Sequence, residues 1–395
     1  MKSTKQQNKY MSPMQPVENV IPRPEQVLEA SGLPENHAVQ HPSERVQKAI
    51  RDFITNGSAA RYPGEQTRNL LESLGRYTGI PEKSIQLFNG LTSIFETIAE
   101  AFLKPGDTVL IAGPVEDNFR IYAESCGAKA AYCYGFSPFS SDPDGLLENV
   151  NKTTRMIFLA NPGHPTGTVW SDDEIRHLLE HAPDTILVID ESYFEYYGHA
   201  SVGLIERYDN LIVTRTFSEA LGLAGYPCAY ALASARNIKE MNRHRGSRVP
   251  SDLVQVAAAA VLNDLEYVRR RVDQVQENMI FLSVRLRSLG ISSRITPTDL
   301  LLVQTADPLK AVSFLRSIGV FAWNPGYLPQ LENFIWMTIG DDEVSRRIVE
   351  AFERMPEQIY RLRPLLKARV TLHRPPEDQP EYDKANFYSG LEESR

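Results

Sequence analysis

The sequence predicts an α/β protein with a large domain built on a doubly wound, mainly parallel sheet and a smaller α/β domain toward the C-terminus. Three observations predict it. Short apolar segments alternate with helix-patterned segments between Thr108 and Thr214. A long helix-patterned stretch follows, at residues 253–289, and beyond it a second, shorter set of strand and helix patterns begins. The chain has 395 residues, 42% of them hydrophobic, enough for one large core and a second smaller one.

Residues 1–40 are polar and dotted with proline, which predicts an N-terminal arm. Val46, Ala49, Ile50 and Phe53 recur at helical spacing and predict a helix over 43–54. Further helices are predicted at 69–77 and at 92–102, the latter entered from the turn Asn89-Gly90. The alternation then runs strand 108–112, helix 119–126, strand 156–160, helix 172–181, and strands 185–190 and 211–214. Such a pattern gives a parallel sheet covered on both faces, with ligands bound at the carboxyl ends of its strands. Residues 41–265 are read as the large domain. The small domain, 266–356, has candidate elements at 300–304, 309–317, 334–339 and 342–354. Residues 357–395 form a tail rich in charge and proline, with a weak strand candidate at 368–372; disorder and a partner-wrapping arm are both open.

The formal net charge is −8 and no long basic run offsets it, which argues against nucleic acid as a partner. Cys126, Cys133 and Cys228 lie in apolar stretches without metal-ligand spacing and read as thiols in a reducing compartment. Residues 1–15 lack the apolar core of a signal peptide, and no apolar run is long enough to span a bilayer. A cytoplasmic protein with no membrane partner is expected.

Seven segments stand in order: Arg61-Tyr62-Pro63-Gly64, Asn89-Gly90, Lys104-Pro105-Gly106-Asp107, Asn161-Pro162-Gly163-His164-Pro165-Thr166-Gly167, Asp190-Glu191-Ser192-Tyr193, the run Arg215-Thr216-Phe217-Ser218-Glu219-Ala220-Leu221-Gly222-Leu223-Ala224-Gly225, and Thr338-Ile339-Gly340. Together they resemble the fold-type I pyridoxal-phosphate aminotransferases, and within them the histidinol-phosphate aminotransferases and threonine-phosphate decarboxylases, over roughly residues 59–355. The resemblance implies a homodimer acting on a small-molecule substrate. It also implies a lysine that forms a Schiff base with the cofactor. By the same resemblance, Asp190 pairs with the pyridine nitrogen and Tyr193 with the phenolic oxygen. Thr92, Thr216 and Ser218 supply hydroxyls toward the phosphate, and Tyr62 reaches the phosphate of the other subunit.

The same resemblance marks departures. Glu219 stands where the Schiff-base lysine is expected, and Pro227 where a phosphate-binding arginine is expected. Glu116 takes the place of the ring-stacking aromatic, His164 that of an asparagine, and Trp336 that of the arginine that grips the substrate carboxylate. A carboxylate forms no imine and repels a phosphate. No covalently bound cofactor is therefore expected; non-covalent pyridoxal phosphate or pyridoxamine phosphate is the alternative.

Glu219, Glu116 and Asp190 face one pocket if the family geometry holds, either as general acids and bases or as a seat for a cation. The plainer reading is that two of them point to water or pair with arginines. His164 reads as a hydrogen-bonded structural histidine or as a proton relay, and no metal is expected. Trp336 reads as filling the volume an arginine would take, or as a stacking platform. Arg243, His244, Arg245 and Arg248 read as a solvated helix end rather than an anion site. The expected function is acid–base chemistry on a small metabolite in the old cofactor pocket. Glu219 leads that chemistry, supported by Glu116, His164 and Asp190. The alternative is a non-catalytic homologue that scaffolds or regulates a partner.

Overall fold

The computed structural model describes residues 42–56, 63–116, 119–246 and 249–362. The arm, Arg61, Tyr62, Arg248 and the strand candidate at 368–372 lie outside the described residues. Helices α1 (Glu44–Asn56) and α2 (Glu65–Thr78) precede strand β1 (Ile85–Phe88). The chain continues through α3 (Leu91–Phe102), β2 (Thr108–Gly113), α4 (Phe119–Ser125), β3 (Lys129–Tyr134), α5 (Pro143–Glu148) and β4 (Thr154–Ala160). Next come α6 (Asp172–His181), β5 (Ile186–Asp190), α7 (Phe194–Tyr197), β6 (Leu211–Thr216), β7 (Ala229–Ala233) and α8 (Ala235–His244). Helices α9 (Asp252–Leu262) and α10 (Leu265–Ser288) lead to β8 (Ser293–Ile295), β9 (Leu300–Gln304), α11 (Pro308–Ser317), β10 (Phe334–Thr338), α12 (Asp342–Arg354) and α13 (Glu357–Tyr360).

Seven described strands form one sheet in the order β1-β7-β6-β5-β4-β2-β3. The pairs β2–β3, β2–β4, β4–β5 and β5–β6 are parallel, while β7 runs antiparallel to both β1 and β6. The mainly parallel α/β sheet expected from the sequence is therefore present. Its central strands are nearly continuous apolar runs because helices cover both faces. Side chains alternate between those faces. Leu187, Ile189, Leu211 and Val213 pack with Ile175, Leu178 and Leu179 of α6 on one side. Val188, Ile212 and Phe158 pack with Ile94, Phe95 and Ile98 of α3 on the other. Here Phe119 stacks on Phe158 at 5.0 Å, and Phe95 meets both edge-on.

A second sheet, β10-β9-β8, is antiparallel. It meets the first through an apolar cluster of Leu300, Leu302, Leu331 and Trp336 packed on Phe139. Phe139 lies edge-on to Phe334 at 5.7 Å, and Arg294 sits 4.3 Å over its ring. Gly167 completes the contact: its φ is +68°, and a Cβ there would come within 2.6 Å of Thr296. Only glycine allows that approach.

The stretch expected as one helix over 253–289 is two. It breaks at Asn263 and Asp264, which cap α9 and α10, and such short polar side chains compete with helical hydrogen bonds. Strands β1, β3 and β7 and helices α5 and α8 were not legible as patterns. β7 is Ala-Tyr-Ala-Leu-Ala, poor in β-branched residues, yet wholly buried between β1 and β6.

Candidate functional site

The loop after β4 carries His164. Asn161 ties its two ends, donating to the Trp170 carbonyl at 3.0 Å and accepting from the Trp170 amide at 3.0 Å. Within it, the Gly163 amide donates to the Thr168 carbonyl and the Gly167 amide to the Gly163 carbonyl, each at 2.7 Å. The loop after β2 runs alongside, joined where the Glu116 amide donates to the His164 carbonyl at 2.8 Å.

These loops bring side chains of opposite charge together. Nδ1 of His164 lies 3.3 Å from Oε2 of Glu116. Tyr327, from the segment between α11 and β10, donates its hydroxyl to the other oxygen, Oε1 of Glu116. Burial pushes the Glu116 carboxyl up, but the bond and charge of His164 and the Tyr327 hydroxyl outweigh it and leave the group below its ordinary range. Burial likewise pulls the His164 imidazole down. Its bond to Glu116 and the charges of Glu116, Glu219 and Asp299 outweigh that and hold it above the usual histidine value. Each partner thus favours the charged form of the other. The Tyr193 ring lies parallel to the imidazole at 6.0 Å, and Trp336 presents its ring at 81°, 5.0 Å away.

Asp190 ends β5. Burial pushes its carboxyl up to about 6, against bonds from the Ser192 hydroxyl (2.6 Å), the Ser192 amide (3.2 Å) and the Thr214 hydroxyl (3.3 Å). Beside it, Glu191 and Arg215 form a wholly buried ion pair. Arg215 Nε and Nη2 both donate to Glu191 Oε2, at 2.9 and 2.8 Å, while Oε1 accepts from the Ser201 amide at 2.7 Å. The guanidinium sits 3.6 Å over the Phe194 ring. This pair fixes the β5–α7 turn, which presents Tyr193, against β6.

A cavity of about 90 Å³ lies at these strand ends, lined by Thr92, Glu116, His164, Asp190, Ser192 and Tyr193 together with Phe95 and Phe158. Its lining, among the described residues, includes no lysine. Thr92 stands in the first turn of α3, behind Gly90. Pro227 lies beside Gly90: a Cβ on that glycine would be 3.5 Å from Cβ of the proline. Glu219, expected to lead the chemistry, stands in the turn after β6 outside this lining, though near enough for its charge to act on His164 and Tyr193. Thr216 and Ser218 are not part of the lining; their hydroxyls bond each other at 3.0 Å, and the Ser218 amide donates back to Thr216 Oγ1 at 3.1 Å. Trp336 is buried in the second sheet's cluster, where Trp323 pairs with it through two backbone bonds and a ring contact at 5.8 Å.

Arg243 and His244 pair with Glu240 at the exposed end of α8, but Arg245 beside them is partly buried, with Nε and Nη1 lacking a hydrogen-bond partner among the described residues, so a solvated helix end describes only part of the cluster. No group of three or more potential metal ligands occurs among the described residues, and no described helix is long and apolar enough to cross a membrane. The sequence reading missed Tyr327, Asp299 and Arg215. Tyr327 and Glu116 are 211 residues apart, and no local signal links them.

Residues 29–352 match the family Aminotransferase class I and II. The chain is 32% identical over 299 residues to a dihydroxyacetone phosphate transaminase of Campylobacter jejuni, covering 74% of this chain and 82% of that protein. It is 27% identical over 337 residues to a histidinol-phosphate aminotransferase of Methanosarcina mazei, covering 84% and 89%. Its fold is similar to the crystal structure of a histidinol-phosphate aminotransferase from Sinorhizobium meliloti in complex with pyridoxal-5'-phosphate. The TM-score is 0.74 at 21% identity, over 83% of this chain and 92% of that one.

Proposed function

The chain belongs to the class I and II aminotransferase family, and from that premise we propose that it is a divergent member that has lost the imine-forming lysine and performs cofactor-independent acid–base chemistry on a small metabolite. The observation that carries this reading is the Glu116–His164 pair at 3.3 Å in the wall of the cavity where Asp190 also stands.

Pyridoxal phosphate does not fit the residues present. Glu219 occupies the turn after β6 where the family resemblance expects the lysine, and Pro227 stands beside Gly90 where an arginine is expected. A carboxylate at position 219 forms no imine and repels a phosphate.

Two carboxyl groups in one cavity are pushed apart by their surroundings, a pattern that separates acid from base. Glu116 stays ionised and holds His164 as imidazolium, so His164 is the proton donor to a substrate atom in the cavity. Asp190, with a carboxyl at about 6, is largely ionised at neutral pH yet basic enough to accept a proton. Thr92 and Tyr193 orient the substrate through their hydroxyls. Proton transfer between carbon or oxygen centres, as in isomerisation or elimination, is the reaction class this set supports.

The competing reading, non-covalent pyridoxal phosphate or pyridoxamine phosphate, draws on Asp190 and Tyr193, which both remain in the cavity wall. One experiment separates the two. Small metabolites are incubated with the protein in deuterated water and deuterium uptake is followed. Uptake without added cofactor, lost in His164→Asn and Asp190→Asn, supports the acid–base reading. Uptake only with added pyridoxal phosphate overturns it.

A further inference from the structure

A second cavity, of about 230 Å³, opens at the carboxyl ends of β2, β3 and β4. Ala112 and Cys133 in its wall belong to the apolar layer on the sheet face away from Phe95 and Phe158, which line the site cavity. The room exists because small residues meet there: Ala112, Gly113, Gly135, Gly145 and Gly163. Leu146 and the indole of Trp170 supply the apolar walls. Cavities that hold drug-sized ligands run to roughly 300–1,000 Å³, so this one takes a single ring with a short side chain.

Charge selects among such ligands. Asp142, Asp144 and Glu148 line the side formed by α5, and the lining contains no lysine, arginine or histidine. Asp142 caps α5 by accepting from the Gly145 amide at 3.0 Å, and Asp144 meets His177 at 2.9 Å. Asp142 and Asp144 stand exposed at this rim and repel carboxylates and phosphates. Burial pushes the Cys133 thiol up to about 11, so it stays neutral and forms an apolar wall rather than a nucleophile.

We propose that this cavity is a binding site for a small aromatic amine, its ring against Trp170 and its ammonium toward the carboxylates of α5. The occupant touches the site from behind. Val115 and Gly163 line the cavity and immediately precede Glu116 and His164, whose loops are joined by the 2.8 Å bond between the Glu116 amide and the His164 carbonyl. Ala160 lines both cavities. An amine bound here therefore shifts the geometry of the proton-handling pair without entering its cavity.

The test uses the full-length protein, with 2-phenylethylamine as probe and 3-phenylpropionate as its anionic counterpart. Calorimetric titration is expected to show saturable one-to-one binding of the amine, and at least tenfold weaker binding of the acid. Cys133→Phe fills the cavity from β3 and is expected to weaken the amine at least tenfold. Ala112→Leu fills it from β2 and serves where the first variant misfolds. The His164 ring signals in proton NMR are expected to move on saturation in the wild type and to stay fixed in the filled variants. Three results overturn the proposal: no saturable binding to the wild type, equal affinity for the acid, or unchanged affinity in a folded variant with the cavity filled.

Discussion

Oε2 of Glu116 lies 3.3 Å from Nδ1 of His164, while the Tyr327 hydroxyl donates to the other oxygen of the same carboxylate. The glutamate therefore biases the histidine toward its protonated form and is itself held by an exposed tyrosine from the segment before β10. Glu116→Gln is expected to lower the His164 pKa, because burial then acts with less opposition. Tyr327→Phe is expected not to lower it, since the carboxylate remains and only loses a donor that favours its ionised form. Proton NMR titration of the imidazole reads both. An unchanged His164 pKa in Glu116→Gln contradicts the pairing.

Asp190 gives a pH dependence of stability with a definite sign. Its folded carboxyl titrates at about 6, above the ordinary value of 3.8, so the native state binds the proton more tightly than the unfolded chain. That contribution is full below about pH 4 and is lost as pH rises to about 6. Asp190→Asn removes the cost of the buried charge. It is expected to stabilise the fold at about pH 7.5 by up to roughly 3 kcal/mol, with the gain vanishing near pH 4. Thermal melts at the two pH values check this, and an equal effect at both contradicts it.

Arg215 and Glu191 are both buried, so removing one strands the other. Arg215→Met is expected to cost about 3–5 kcal/mol in urea unfolding. Replacing both, with Arg215→Met and Glu191→Leu, is expected to cost less than the single change, because Glu191 is then not stranded; the buried Glu195, which also feels the Arg215 charge, keeps its bond from Tyr77. A double variant less stable than Arg215→Met contradicts this.

The double variant Glu219→Lys with Pro227→Arg asks what shape the pocket kept. Lysine removes a repelling charge and supplies the amine, and each charge-assisted bond from arginine to phosphate contributes roughly 1.5–3 kcal/mol. Visible absorbance from bound pyridoxal phosphate is expected, with little transamination, since Glu116 still bonds His164 in place of a stacking ring. A well-folded double variant that stays colourless contradicts this.

The central strands were legible because β4, β5 and β6 are long apolar runs buried on both faces, a composition that survives any detail of packing. The alanine-rich β7 was not, since its place between two strands is a tertiary fact. In the site, Glu116, His164, Asp190 and Tyr193 stand in or beside motif turns, and the strand ends gather them around one cavity. Thr216 and Ser218 stand in such a turn too, but bond each other rather than line it. Trp336 is buried in the cluster between the sheets and meets the site through the His164 ring at 5.0 Å. Tyr327 and Asp299 escaped because nothing near them in the chain marks a partner more than a hundred residues away.

With Glu219 where the family resemblance expects a lysine, the proposed function requires that this pocket form no imine with pyridoxal phosphate. The most direct measurement is borohydride reduction of the purified protein with pyridoxal phosphate, followed by peptide mass mapping. At most scattered, substoichiometric labelling of surface lysines is expected. One equivalent of label fixed on a single lysine, with a visible absorbance band that reduction removes, would contradict it.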